Sequence, residues 1–89
     1  MKVQKEENRF FINENDEFVG EISFTKESNY IVADHTFVNP KYRGKGIASI
    51  LLDALGDYAR ENKVKIKADC SYVFKKFSES SEYDDIKLK

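Results

Sequence analysis

YIVADHTFVNPKYRGKGIASILLDALGDYARENKVKIKA, residues 30–68, holds three structural elements in immediate succession. Tyr30 to Val38 is rich in β-branched and aromatic residues, which suits a central strand. Asn39-Pro40 ends it, because proline lacks the N–H a ladder needs and pre-sets a turn. A helix follows, about Gly46 to Glu61. Ile47, Leu51, Ala54, Leu55 and Tyr58 fall on one stripe, with Ala48, Leu52 and Ala59 widening it, while Ser49, Asp53, Asp57 and Arg60 are expected to face water. Val64 to Ala68 then reads as a strand, with Val64, Ile66, Ala68 and Cys70 in phase. Strand, helix and strand in this order imply a right-handed crossover and parallel pairing of the two strands.

Upstream, Arg9 to Asn13 and Phe18 to Phe24 read as two further strands, joined by a tight turn at Asn13-Glu14-Asn15-Asp16. Regular alternation puts Phe18, Gly20, Ile22 and Phe24 on one face and Glu21 and Ser23 on the other. Downstream, a short helix is expected at about Tyr72 to Phe77, followed by a polar, acidic tail, Ser78 to Lys89, that docks loosely or frays. The fold class is therefore α+β: antiparallel N-terminal strands leading into a parallel strand–helix–strand unit, closed by a short C-terminal helix. With 89 residues, residues 1–89 make one domain with a thin core.

Composition narrows the function. Lysines and acids are interleaved and the formal net charge is -1, so no single-sign field favours nucleic acid. The exception is a short basic run, Lys41, Arg43 and Lys45. No apolar stretch approaches a membrane span. Met1 to Arg9 lacks the apolar segment of a secretory signal, and Cys70 has no partner for an internal disulfide, so the expected location is the cytoplasm. One Cys and one His argue against a dedicated zinc site. An open sheet edge on so short a chain is compatible with a monomer or a weak homodimer.

The loop between strand and helix carries the chemistry. The first N–H groups of a helix have no intrahelical partner, and the macrodipole makes that end positive. Gly44 and Gly46 remove side chains that would hold an anion away, and Arg43 and Lys45 add positive charge. A Walker loop is excluded, since Gly-Lys-Ser/Thr is absent. A dinucleotide fingerprint lacks its third glycine, where Ser49 stands, although Asp69 lies at the offset of a ribose-binding acid.

Arg43-Gly44-Lys45-Gly46-Ile47-Ala48 resembles the Arg/Gln-x-x-Gly-x-Gly/Ala signature of the GNAT superfamily, the acetyl-CoA-dependent N-acetyltransferases, and the lead-in Thr36-Phe37-Val38-Asn39-Pro40-Lys41-Tyr42 is similar too. The likeness covers about Tyr30 to Phe77 and points to a short, stripped-down subfamily. It implies acetyl-CoA as the cofactor and an amine acceptor. Phe37 and Val38 would offer backbone groups to the pantetheine arm. Arg43, Gly44, Lys45, Gly46, Ile47 and Ala48 would hold the pyrophosphate, while Ser71 and Tyr72 would flank the thiol end. Lys75 and Lys76 would meet the ribose phosphate or form a solvated helix face. The family's acceptor-binding helices between the first two strands have no room here.

Acetyl transfer to an amine needs a base for the ammonium and an acid for the departing thiolate. Tyr72 and Tyr83 are the candidate acids, or else core aromatics. Cys70 ends a parallel strand, where open sheets place ligands, and a following helix would lower its pKa. It is either a nucleophile that carries acetyl as a thioester or a small core residue. His35, on the neighbouring strand, is the candidate base for Cys70 or a structural residue. Three functions follow: an N-acetyltransferase, a non-catalytic acetyl-CoA-binding module, and a nucleotide-binding domain.

Overall fold

In the computed structural model, which describes residues 1–88, five strands form one sheet in the order β1-β2-β3-β4-β5. They are β1 (Gln4–Glu6), β2 (Arg9–Glu14), β3 (Glu17–Lys26), β4 (Tyr30–Val38) and β5 (Lys65–Ala68). The first four are antiparallel neighbours, and β4 pairs with β5 in parallel. Helix α1 (Ile47–Asn62) makes the crossover, and α2 (Ser71–Glu79) follows β5. The α+β class and the strand–helix–strand unit are thus as the sequence implies. The doubly wound sheet of a dinucleotide-binding domain is not formed, because the strands before the unit are antiparallel.

β1 was not legible, since all three of its residues are exposed and none marks a face. It adds to β2 through backbone pairing and an exposed Glu6–Arg9 ion pair. The β2–β3 turn is a two-residue one at Asn15 and Asp16, both with positive φ (51° and 64°), the twist a tight hairpin prefers.

Two β-bulges reset the alternation. On β3 the register passes from Ile12↔Gly20 to Asn13↔Phe18, leaving Val19 as the extra residue. Val19 is fully buried, while Phe18 swings to the other face and stacks on Phe37 with ring planes 7° apart. The expectation that Phe18 shares a face with Gly20, Ile22 and Phe24 is therefore corrected: a one-residue insertion flips every side chain beyond it. On β4 the register passes from Ser23↔His35 to Phe24↔Ala33, with Asp34 the extra residue. Thr36, opposite Ile22, takes the inward position that regular alternation from Ile31 and Ala33 would give to His35.

Helix α1 packs its stripe of Ile47, Leu51, Leu52, Leu55 and Ala59 on the sheet face that carries Ile12, Ile22, Phe24, Ile31 and Ile66. Each fully buried leucine contributes about 1.5–3 kcal/mol over its exposed state. Gly56 is buried in the same stripe, and Ile86 fills the space a side chain would need: a Cβ there would lie 3.1 Å from Ile86 Cδ1.

The tail is docked, not frayed. Tyr83 and Ile86 are 4% and 2% exposed, and the Tyr83 hydroxyl donates to Asp53 at 2.7 Å. Burial and the neighbouring carboxylate of Asp53 push the Tyr83 hydroxyl far above its ordinary value, so it stays protonated. Arg60 binds Asp85 at 2.8 Å and the Glu82 carbonyl at 3.0 Å. Asp53 and Arg60 thus hold the tail instead of facing only water. Backbone bonds from Ile66 N to Ile86 O (2.6 Å) and from Leu88 N to Ile66 O (2.9 Å) add the tail to the free edge of β5.

We expect Ile86→Ala to destabilise the domain by about 2–5 kcal/mol, the cost of a buried large-to-small change. Urea denaturation followed by circular dichroism checks this. A loss of under half a kcal/mol would mean that the tail is only a surface strap.

Candidate functional site

The parallel pairing of β4 with β5 runs only from Tyr30↔Lys65 to Ala33↔Ala68. The Ala33 carbonyl then accepts from both Asp69 N (3.2 Å) and Cys70 N (3.0 Å), which pulls the chain out of strand geometry and into α2. β4 continues alone on that side from Asp34 to Val38, still held by β3 on the other. Its alternate backbone groups are left facing the gap.

A cleft of ≈ 460 Å³ opens there, lined by Thr36 and Val38 of β4, by Tyr42, Arg43, Gly44 and Gly46 of the connecting loop, by Ile47, Ala48 and Ser49 of α1, and by Tyr72 and Lys76 of α2. Gly44 and Gly46 have φ of 82° and 76°, backbone that only glycine adopts without strain. A Cβ on either would meet nothing within 4 Å, so both glycines leave open space above the loop. Gly46 caps α1 without a side-chain bond, and the first helical bond is Ile50 N to Gly46 O at 3.1 Å. The N–H groups of Ile47, Ala48 and Ser49 therefore have no intrahelical acceptor and lie at the cleft. A concave surface of free amides at the positive end of a sixteen-residue helix, with Arg43 and Lys45 beside it, fits an anionic group such as a diphosphate.

Cys70, half-buried, stands next to Thr36 and is not among the residues that line the cleft. Its Sγ is 3.2 Å from Thr36 Oγ1. Burial pushes the thiol pKa up, but the Thr36 hydroxyl and the N–H groups of Val73 and Tyr72 at the start of α2 outweigh it, and the net shift is downward. Those two amides lie close enough to act on the sulfur without forming a cap bond. The structure does not bring His35 to Cys70. The bulge at Asp34 turns His35 to the face opposite Thr36, where it is exposed.

Of the other residues singled out from sequence, Val38, Arg43, Gly44, Gly46, Ile47, Ala48, Tyr72 and Lys76 line the cleft. Lys45 is exposed on the loop between the two glycines, and Ser71 is exposed at the start of α2. Lys75 is exposed and does not line the cleft, so Lys76 is the lysine of α2 that reaches it. The Phe37 side chain lies on the open face against Phe18. Tyr83 is buried under α1, which leaves Tyr72, on α2, as the candidate acid that lines the cleft. Sequence reading missed Thr36, Tyr42 and Ser49. Ser49 was discoverable, since the third residue of a helix always offers a free N–H. Thr36 was hidden by the bulge, and Tyr42 by its distant partner Glu17.

The family model for the GCN5-related N-acetyl-transferase matches residues 9–86. The solution structure of a GCN5-like N-acetyltransferase candidate from Staphylococcus aureus is 32% identical, with a TM-score of 0.82, and the alignment covers 98% of this chain and 87% of that one. Two more distant structures share the fold. The ribosomal-protein-alanine N-acetyltransferase of Brucella melitensis is 21% identical with a TM-score of 0.64, covering 84% of this chain and 65% of that one. A predicted acetyltransferase of Clostridium acetobutylicum, crystallised with acetyl-CoA, is 22% identical with a TM-score of 0.62, covering 91% and 62%. The chain thus spans under two thirds of the latter two. No curated protein matches it. With a match from residue 9 to residue 86, on a sheet that splays where its glycine loop opens a helix, the chain belongs to the GCN5-related N-acetyltransferase family.

Proposed function

We propose that the cleft binds acetyl-CoA and that the protein transfers the acetyl group to an amine. The observation that carries this is the meeting of three features in one cleft: the unpaired edge of β4, the two positive-φ glycines and the free amides of α1. The pyrophosphate would rest on Arg43 to Ala48, with Arg43 and Lys45 neutralising it. The backbone of Phe37 and Val38 would bond the pantetheine arm, and Lys76 would meet the ribose phosphate. Acetyl-CoA supplies an acyl group already activated as a thioester.

In this reading two residues would act at the thioester end. Tyr72 keeps its proton at neutral pH, because burial first and the Asp53 carboxylate second raise its pKa. It can therefore donate to a departing thiolate in direct transfer. Cys70, bonded to Thr36, can instead attack as its thiolate, its proton already lost to solvent: a bond forms from Sγ to the acetyl carbon as the bond to the CoA sulfur breaks, and CoA leaves as its thiolate. An amine then displaces Sγ and gives its proton to solvent. A second reading, an acetyl-CoA-binding module without efficient transfer, is favoured by the two-residue turns at Glu7-Asn8 and Asn15-Asp16, which leave no helix to form an acceptor pocket. Release of free CoA thiol across a panel of amines separates the two.

Titration of isotope-labelled protein with acetyl-CoA should give saturable amide shifts centred on Arg43 to Ala48 and reaching Cys70. No shifts at millimolar ligand would overturn the reading. Gly46→Val, which fills the space above the loop and strains a left-handed residue by about 1–2 kcal/mol, should abolish those shifts in protein that remains folded.

Alkylation of Cys70 by iodoacetamide should reach half its maximal rate at a lower pH than alkylation of a cysteine in an unfolded peptide, since the thiolate accumulates as pH rises through a lowered pKa. Thr36→Val should move that midpoint upward. Steady-state turnover of Cys70→Ala decides the route: loss of most activity supports the thioester on Sγ, and unchanged activity leaves direct transfer with Tyr72 as the acid.

A further inference from the structure

We infer that Glu17 and Asn39 are positioning residues for the anion-binding loop, acting through a clamp that the β3 bulge creates. This rests on the reading that Arg43 to Ala48 hold the pyrophosphate. The loop is anchored at its far end by α1, whose first residue, Ile47, is buried. Between the anchors lie two glycines with positive φ, and among the described residues the only side-chain bond from this stretch is Arg43 Nε to the Val38 carbonyl, at 3.4 Å. The near end must therefore fix where the amides stand.

That end is tied to β3 at five points. In a regular strand successive carbonyls point to opposite edges, but the bulge at Val19 presents two in a row to one side. The Val19 carbonyl accepts from Asn39 N at 2.7 Å, and the Phe18 carbonyl from Asn39 Nδ2 at 2.9 Å. Asn39 Oδ1 in turn accepts from Lys41 N at 3.0 Å, closing the 3-10 turn Pro40–Tyr42. Glu17, directly before the bulge, accepts from Tyr42 OH at 2.9 Å and from Lys41 Nζ at 3.1 and 3.5 Å. Tyr42 itself lines the cleft. Lys41 and Tyr42 both hold Glu17 below its ordinary pKa, the Lys41 bond being the larger cause.

The sign of the charge makes the case. A carboxylate bonded to Tyr42, which lines the cleft, repels an anionic ligand, and it also occupies Lys41, the first cation of the basic run. On Coulomb grounds alone, removing Glu17 should tighten the binding of a diphosphate. A clamp demands the opposite, because a loop that must be ordered on binding costs affinity.

The test is calorimetric titration of the full chain with acetyl-CoA, alongside melting curves and amide hydrogen exchange. Glu17→Ala should weaken binding about tenfold, the scale of losing hydrogen bonds to a charged acceptor. Glu17→Gln, which keeps an acceptor for Tyr42, should recover part of that loss. Tyr42→Phe should weaken binding several-fold with an unchanged melting temperature. In Glu17→Ala, nitrogen-15 order parameters at Gly44 to Ala48 should fall while amide exchange at Leu51 to Leu55 stays slow. Where activity is measurable, KM for acetyl-CoA should rise with kcat unchanged. Equal or tighter binding by Glu17→Ala and Tyr42→Phe overturns the clamp. Should Glu17→Ala fail to fold, Glu17→Gln and Tyr42→Phe decide on the same criterion. A wild-type chain that binds no acetyl-CoA overturns the reading of the loop instead.

Discussion

One carbonyl divides this sheet into a packed half and an open half. Ala33 O accepts from both Asp69 N and Cys70 N, and beyond it β5 has no more strand to offer β4. Were the pairing to continue, Thr36 and Val38 would be covered by a neighbouring strand and the cleft would not exist. Instead β4 has no strand partner on one edge from Asp34 to Val38, where Arg43 Nε donates to the Val38 carbonyl, and Cys70 starts a helix where a strand residue would otherwise stand. Unpaired backbone is costly to bury and natural for a ligand to satisfy. The gap and the helix start of α1 are consequences of one strand–helix–strand crossover.

Much of this was legible because its physics is local. Proline stops a strand wherever it stands, glycine permits positive φ, and apolar residues at helical spacing bury one face; Asn39-Pro40, Gly44, Gly46 and the stripe of α1 needed nothing else. What failed was long-range register. Alternation along one strand cannot see an extra residue that only its pairing with a neighbour reveals, so Phe18 and His35 were assigned to the wrong neighbours. Asp34 and Val19 are unremarkable in sequence, yet each flips the face of what lies beyond it. The same blindness hid Glu17, which meets Lys41 and Tyr42 across 24 and 25 positions of chain.

The tail failed differently. Composition marked it polar, and polar it is, with Asp84, Asp85 and Glu82 all exposed. Its buried side chains are Tyr83 and Ile86, which meet Asp53 and Gly56 on α1 and add to the Arg60 bonds and the backbone pairing with Ile66. In a domain this thin, two apolar side chains are a sizeable part of the core. Single residues therefore count for more than averages over a window can show.

Thinness also couples the site to the fold. Ile47 and Val73 are core residues that stand within a turn of the cleft's amides and of Cys70, so there is no separate scaffold beneath the site. Ligand held by the native state alone adds RT ln(1 + [L]/Kd), about 2.7 kcal/mol at a hundredfold excess over Kd. For a domain with only about 5–15 kcal/mol to lose, that is a large share. The glycines that open the loop weaken the chain when empty, since each loses more backbone entropy on folding than any other residue. Their cost is offset if the loop spends its time filled, which would join the stability of this fold to the anion binding proposed for the loop.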